Sequence, residues 1–87
     1  MTNPYSDIPD DIYRRLVNAE HAAPPSCANG ASCITVAVVD GFVSLQDSKL
    51  DAPDRQAGAQ VYTIAEMAAF MRDAKAGHYD IAERPCP

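Results

Sequence analysis

Apolar residues follow several distinct periodicities along this chain of 87 residues. Ile8, Ile12, Leu16 and Ala19 recur at helical spacing, with Tyr13 and Val17 beside them. The spacing predicts an amphipathic helix over 9–21. Asp7 is placed to cap it, and Pro9 falls in its first turn, where a missing amide hydrogen costs nothing. Residues 1–7 read as a frayed start. The stretch AAPPSCANGAS, residues 22–32, reads as a connector. Pro24 and Pro25 stop the helix, and Asn29-Gly30 signals a turn.

The period changes to two in CITVAVVDGFVSLQDSK, residues 33–49. Two apolar runs flank Asp40-Gly41, a pair suited to a type I′ turn because both central residues need positive φ. The predicted hairpin joins 33–39 to 42–47. It sets Val39 opposite Phe42, Val38 opposite Val43, Ala37 opposite Ser44, Val36 opposite Leu45, Thr35 opposite Gln46 and Ile34 opposite Asp47. Side chains alternate across a strand, so Ile34, Val36, Val38, Val43 and Leu45 share one face. That face, rich in branched aliphatics, is the expected core face. The other carries Thr35/Gln46 and Ala37/Ser44 and is apolar only at its Val39/Phe42 tip.

Residues 48–58 read as a polar loop. AQVYT supplies a third strand near 60–62, which a hairpin needs to be stable in water. TIAEMAAFMRDAKAG then predicts a helix over 64–76, with a Thr63/Glu66 capping box, Lys75 in the last turn and Gly77 as the stop. Ile64, Met67, Phe70, Met71 and Ala74 share one arc of it, expected to pack on Val36, Val38, Val43 and Leu45. Glu66, Arg72 and Asp73 fall on the opposite, alanine-rich arc. The expected fold class is α+β: a small antiparallel sheet, hairpin plus third strand, packed on a C-terminal helix, with an extra N-terminal helix. The expected organisation is a helix and connector over 1–32, a hairpin–strand–helix core over 33–80 and a loose tail over 81–87.

Composition narrows the function. An apolar fraction of 47% suits a globular protein, but Trp is absent and Ala is frequent, so the core is light. Twelve acidic residues against seven basic ones leave a net charge of −5. Direct nucleic-acid binding needs a basic footprint, and Arg14-Arg15 is the only basic pair, so no direct nucleic-acid contact is expected. The start MTNPYSDIPDD has neither a basic nor an apolar leader segment, and the run Ile34 to Val39 is too short to cross a bilayer. A cytoplasmic protein without membrane contact is expected. Three cysteines fit that reading, since an odd count argues against a complete disulfide framework.

Candidate chemistry is sparse. His21, Cys27 and Cys33, with His78 or Cys86 as a fourth ligand, are the residue types that hold zinc, but no C-x-x-C pair is present. The plainer reading has Cys33 buried at a strand start, Cys27 in a loop and Cys86 in the tail, all reduced. An oxidising medium would allow Cys27 to pair with Cys33. No G-x-S-x-G, phosphate loop or H-E-x-x-H occurs. A small metal-dependent enzyme or toxin using Cys and His is the alternative class; no catalytic residue, cofactor or metal is expected. Asp47-Ser48-Lys49 reads as a strand end that bonds turn amides, with Asp47 bonded locally and Lys49 exposed.

Three pieces occur together in order: CITVAVVDGFVSLQDSK, VYTIAEMAAFM and AGHYD. Together they resemble the actinobacterial family called domain of unknown function 397, across roughly residues 33–80. Cys33, Asp47, Ser48, Lys49, Thr63, Ala65, Glu66, Phe70, Gly77 and Asp80 fall on its pattern. Gln46 stands where the family usually has Arg, and Met67 where it usually has Trp. The family's N-terminal Trp-x-Lys-Ser-Ser segment is not recognisable. The resemblance implies a small acidic protein encoded beside a helix-turn-helix DNA-binding regulator, acting with it in development or secondary metabolism, at times as a toxin–antitoxin-like pair. The surfaces expected to meet such a partner are the Val39/Phe42 tip, the Asp47-Ser48-Lys49 strand end and the helix arc with Glu66, Arg72 and Asp73. Homodimerisation through a sheet edge or the N-terminal helix is compatible with that role.

Overall fold

A computed structural model describes residues 2–27 and 33–81. The Asn29-Gly30 turn and the tail from residue 82, with Cys86, lie outside the described residues. The elements are α1 (Asp10–Asn18), β1 (Ile34–Val39), β2 (Phe42–Asp47), α2 (Ala52–Ala57), β3 (Gln60–Thr63) and α3 (Ile64–Lys75). The three strands form one antiparallel sheet in the order β1-β2-β3. The fold is α+β, as the periodicities predict.

The hairpin has the predicted register from Ile34↔Asp47 to Val39↔Phe42. Asp40 and Gly41 both take positive φ, 49° and 82°, as a type I′ turn requires. β3 pairs with β2 from Phe42↔Thr63 to Leu45↔Gln60. Ala22 adds a single bridge to the outer side of β1 at Val36, exchanging bonds of 2.8 and 3.0 Å.

The core lies on the opposite face of the sheet from the one the apolar pattern suggests. Thr35, Ala37, Ser44, Gln46 and Val61 are buried, whereas Ile34 is 66% exposed and Val38 62%. The reason is α1. Its Tyr13, Leu16 and Val17 join Ile8, Ala59 and Val61 in the buried cluster, with Leu16 wholly inaccessible. Small side chains at Ala37 and Ser44 leave room for this helix to approach, which branched aliphatics would not. The cluster therefore crosses from segment 1–32 into segment 33–80, and α1 is integral to the core rather than an addition to it.

The chain start is tied down rather than frayed. The Asn3 side-chain amide donates to the Ile8 carbonyl at 2.7 Å and to Asp10 at 3.0 Å, while its oxygen accepts from the Tyr5 amide at 2.9 Å. The Tyr5 hydroxyl accepts from the Val61 amide at 3.0 Å, and its ring lies 6.2 Å from that of Tyr13. α1 consequently begins after Pro9 without a side-chain cap, so Asp7 has no capping role.

The expected loop 48–58 contains α2. Asp51 precedes it, Pro53 occupies its first turn and Gly58 ends it, a start-and-stop pattern present in the residues. Gln56 of α2 donates to the Asn18 side chain at the end of α1, 3.0 Å away. α3 has the predicted capping box, with Glu66 N to Thr63 Oγ1 at 3.1 Å and Thr63 N to Glu66 Oε1 at 2.8 Å. It ends in a Schellman motif: Gly77 has φ of 90°, Gly77 N donates to the Ala74 carbonyl, and His78 N donates to that of Asp73.

Burial pushes the Tyr13 phenol above the usual tyrosine range, and the neighbouring Tyr5 phenol adds to the shift. A folded-state pKa above the unfolded value of about 10 means that the folded protein holds this proton more tightly. The contribution is complete below pH ~10 and is lost as pH rises through the folded pKa. Urea midpoints should therefore fall above pH ~10, and Tyr13→Phe should flatten that fall. An equally steep decline in the Phe variant would place the alkaline sensitivity elsewhere.

Candidate interaction surface

The strand end Asp47-Ser48-Lys49 is built as a closure of the hairpin's open end. Asp47 is the last residue of β2, and its Oδ1 accepts from both the amide and the ammonium of Lys49 at 2.9 Å. The Lys49 side chain remains 60% exposed. The ammonium bond, joined by the amide bond, holds the Asp47 carboxyl below its ordinary range. Ser48 acts across the sheet rather than on the turn. Its Oγ accepts from the Cys33 amide at 2.9 Å and donates to the Cys33 carbonyl at 3.1 Å. Its own amide donates to the same carbonyl. Cys33 and Ser48 form the pair beyond Ile34↔Asp47, so the hydroxyl extends the ladder by one step where the strands separate.

The opposite end of the hairpin is not the free tip that alternation suggests. Val39 and Phe42 are half-buried and pack on the core cluster, as do Tyr5 and Ile12. α1 lies on their face, which the sequence pattern assigns to solvent. Arg15 in the last turn of α1 adds an exposed ion pair to Asp40 at 2.6 Å.

Beneath α1 lies a set of polar contacts that sequence reasoning misses. Gln46 Nε2 donates to the Val17 carbonyl at 3.0 Å, and Thr35 Oγ1 donates to the Gln46 carbonyl at 3.1 Å. His21 places Nδ1 2.8 Å from the Ala19 carbonyl, so that nitrogen carries the proton in the neutral ring. Nε2 then accepts from Ser44 Oγ, also at 2.8 Å. A hydroxyl bonded to an imidazole is the arrangement of a nucleophile–base pair. Ser44, however, is wholly inaccessible, so no substrate reaches it. The pair fastens the connector to the sheet.

Cys27 and Cys33 are joined in a disulfide, in place of the two free thiols expected from the sequence. The turn after Pro24, where Cys27 N donates to the Pro24 carbonyl at 3.0 Å, brings the connector back to the start of β1. Among the described residues, no three His, Cys, Asp or Glu side chains converge as metal ligands would. Among the same residues, no helix is long and apolar enough to cross a membrane.

α3 differs from the expected packed helix. None of its residues is buried: Phe70 is 53% exposed, Met71 and Ile64 nearly half, and Met67 is half-buried. It lies over the sheet face opposite α1, where Val43 is the one buried strand residue. A cleft of about 370 Å³ remains beside it, lined by Leu45, Gln60, Tyr62, Glu66, Met67 and Phe70. Glu66 thus belongs to the cleft wall with Phe70, not to the opposite arc. Asp73, three positions after Phe70, likewise lies on the Phe70 side of the helix and not opposite it, whereas Arg72 lies opposite; both are exposed. The structure therefore keeps the predicted candidates apart, with Asp47, Ser48 and Lys49 at one end of the sheet, Val39 and Phe42 in the core at the other, and Glu66, Arg72 and Asp73 on α3. Comparison with protein-family models, curated proteins and solved structures finds no match to the chain.

Proposed function

We propose that this protein is a non-enzymatic interaction module that acts with a helix-turn-helix DNA-binding regulator, in the manner implied by its resemblance to the domain of unknown function 397 family. The observation that carries the reading is α3. It is capped at both ends, yet it leaves an aromatic and methionine surface exposed on a chain of net charge −5. Exposed apolar surface of this kind marks interaction sites. An acidic partner also competes with DNA for a regulator's basic surface. In this reading the protein works in the cytoplasm, although the Cys27–Cys33 disulfide is of a kind more usual in oxidising compartments. A role resembling one half of a toxin–antitoxin pair fits the same surfaces.

The test is association of the chain with the regulator encoded beside it, with and without operator DNA. Binding at micromolar concentration is expected, and its absence sinks the reading. Lys49→Glu refines the test. The Lys49 side chain is largely exposed, so the unfolding midpoint should stay where it is in wild type. Association should weaken, because reversal removes the exposed ammonium that this strand end presents to a partner and its bond to Asp47; the added negative charge by itself favours a basic partner. A variant that unfolds would make the triplet purely structural. One that folds and binds as tightly as wild type would remove the Asp47-Ser48-Lys49 strand end from the contact and leave α3 alone in it.

A further inference from the structure

The geometry points to the cleft between α3 and β3 as a docking site for a basic amphipathic helix. This inference rests on the interaction-module reading and assigns it a surface and a partner chemistry. Tyr62, Met67, Phe70 and Leu45 give the cleft an apolar floor and walls. Methionine and aromatic side chains adapt to varied apolar anchors at low cost. A second cleft of about 330 Å³ shares Leu45 and Gln60 with it and reaches Ile34 and the Asp47–Lys49 pair. The two adjoin at those shared residues.

Charge selects the occupant. Glu66 lines the apolar part, and Asp73 follows Phe70 by three positions, so both carboxylates lie within about 60° of Phe70 around the helix. Arg72 and Lys75 are turned away by more than about 130°. Lys49, at the far end, is already paired with Asp47. The rim is therefore acidic, on a chain that is acidic as a whole. A second copy of the chain would bring two such rims and two charges of −5 together, which like-charge repulsion opposes. The backbone selects the conformation. The Val61 amide of β3 already donates to Tyr5, so the strand edge beside the cleft is not open for strand addition. An occupant that satisfies its own backbone, a helix, fits that edge.

Titration of the full chain with fluorescein-labelled helical peptides of about five turns tests this. One peptide carries a Leu stripe on a Lys background, the second has the same composition scrambled, and the third replaces Lys with Glu. Micromolar binding of the striped Lys peptide is expected, with at least roughly tenfold weaker binding of the other two. Phe70→Ser should cost at least roughly tenfold. Glu66→Gln combined with Asp73→Asn should weaken binding at low salt and less at high salt, while Gln preserves the capping box. Amide shifts of wild type on peptide addition should centre on Leu45, Tyr62, Met67 and Phe70, a readout that needs no variant. Equal binding of striped and scrambled peptides, or amide shifts elsewhere, overturns the proposal. A dimer in sedimentation that Phe70→Ser dissolves overturns it in favour of a second copy. A chain that binds the regulator but not at this cleft refutes the cleft alone, and one that binds the peptide here but no regulator refutes the functional reading alone.

Discussion

Leu16→Ala should destabilise the protein by about 3 kcal/mol, within the usual 2–5 kcal/mol for emptying a buried leucine site. Leu16 has no accessible surface, and its neighbours in the cluster come from the chain start, α1, β3 and the residue before it. Relaxation into the void would require α1 to shift against the sheet, which the Gln46, Arg15 and Gln56 contacts resist. In a domain whose total stability is about 5–15 kcal/mol, such a loss lowers the melting temperature by on the order of 15 °C. Leu45→Ala is the control. Leu45 is half-exposed on the α3 side and should cost about 1 kcal/mol. Chemical denaturation of both variants decides which face of the sheet holds the core. A Leu45 loss larger than the Leu16 loss would reverse the assignment.

Gln46→Leu should cost about 1–3 kcal/mol although it replaces a polar residue in the core with an apolar one of similar length. Gln46 is 4% exposed, and its amide satisfies the Val17 carbonyl in the last turn of α1. That carbonyl has no later turn of helix to bond to, so leucine would leave it buried and unpaired. Equilibrium unfolding reads the loss, and unchanged or increased stability would mean that water reaches the carbonyl. Gln46→Glu should be worse at neutral pH, because the group facing the carbonyl would no longer donate.

Local signals in the residues were sufficient for the hairpin, its turn and register, the third strand and both ends of α3. Each depends on contacts within a few positions, such as Asp40-Gly41 or Thr63 with Glu66. The core face depends on what packs against the sheet. Thr35, Ser44 and Gln46 look like solvent positions until His21, Val17 and the neighbouring strand backbone bond to them. No periodicity encodes those partners. The Asp47–Lys49 contact was legible because it spans two residues, whereas Ser48 with Cys33 spans fifteen. The loop reading of 48–58 had a local remedy, since Asp51, Pro53 and Gly58 together mark a short helix. The exposure expected of the tip residues Val39 and Phe42 was misread for the same reason as the core face: α1 packs against them.

Both ends of α3 are closed by local bonds, while none of its side chains is fully buried and only Met67 and Ala74 are partly so. A helix of that kind is held mainly by local terms, plus the bond from the Ile64 amide to the Gly41 carbonyl at the hairpin turn. Its amides are therefore expected to exchange with solvent deuterium through sub-global openings, whereas those of α1 and β2 wait for the whole domain to unfold. The molecule then behaves as two cooperative units on one sheet, a slow-exchanging body and a fast-exchanging helix. A partner that orders the helix would be detected first as added protection over residues 64–75, before any change in the stability of the body.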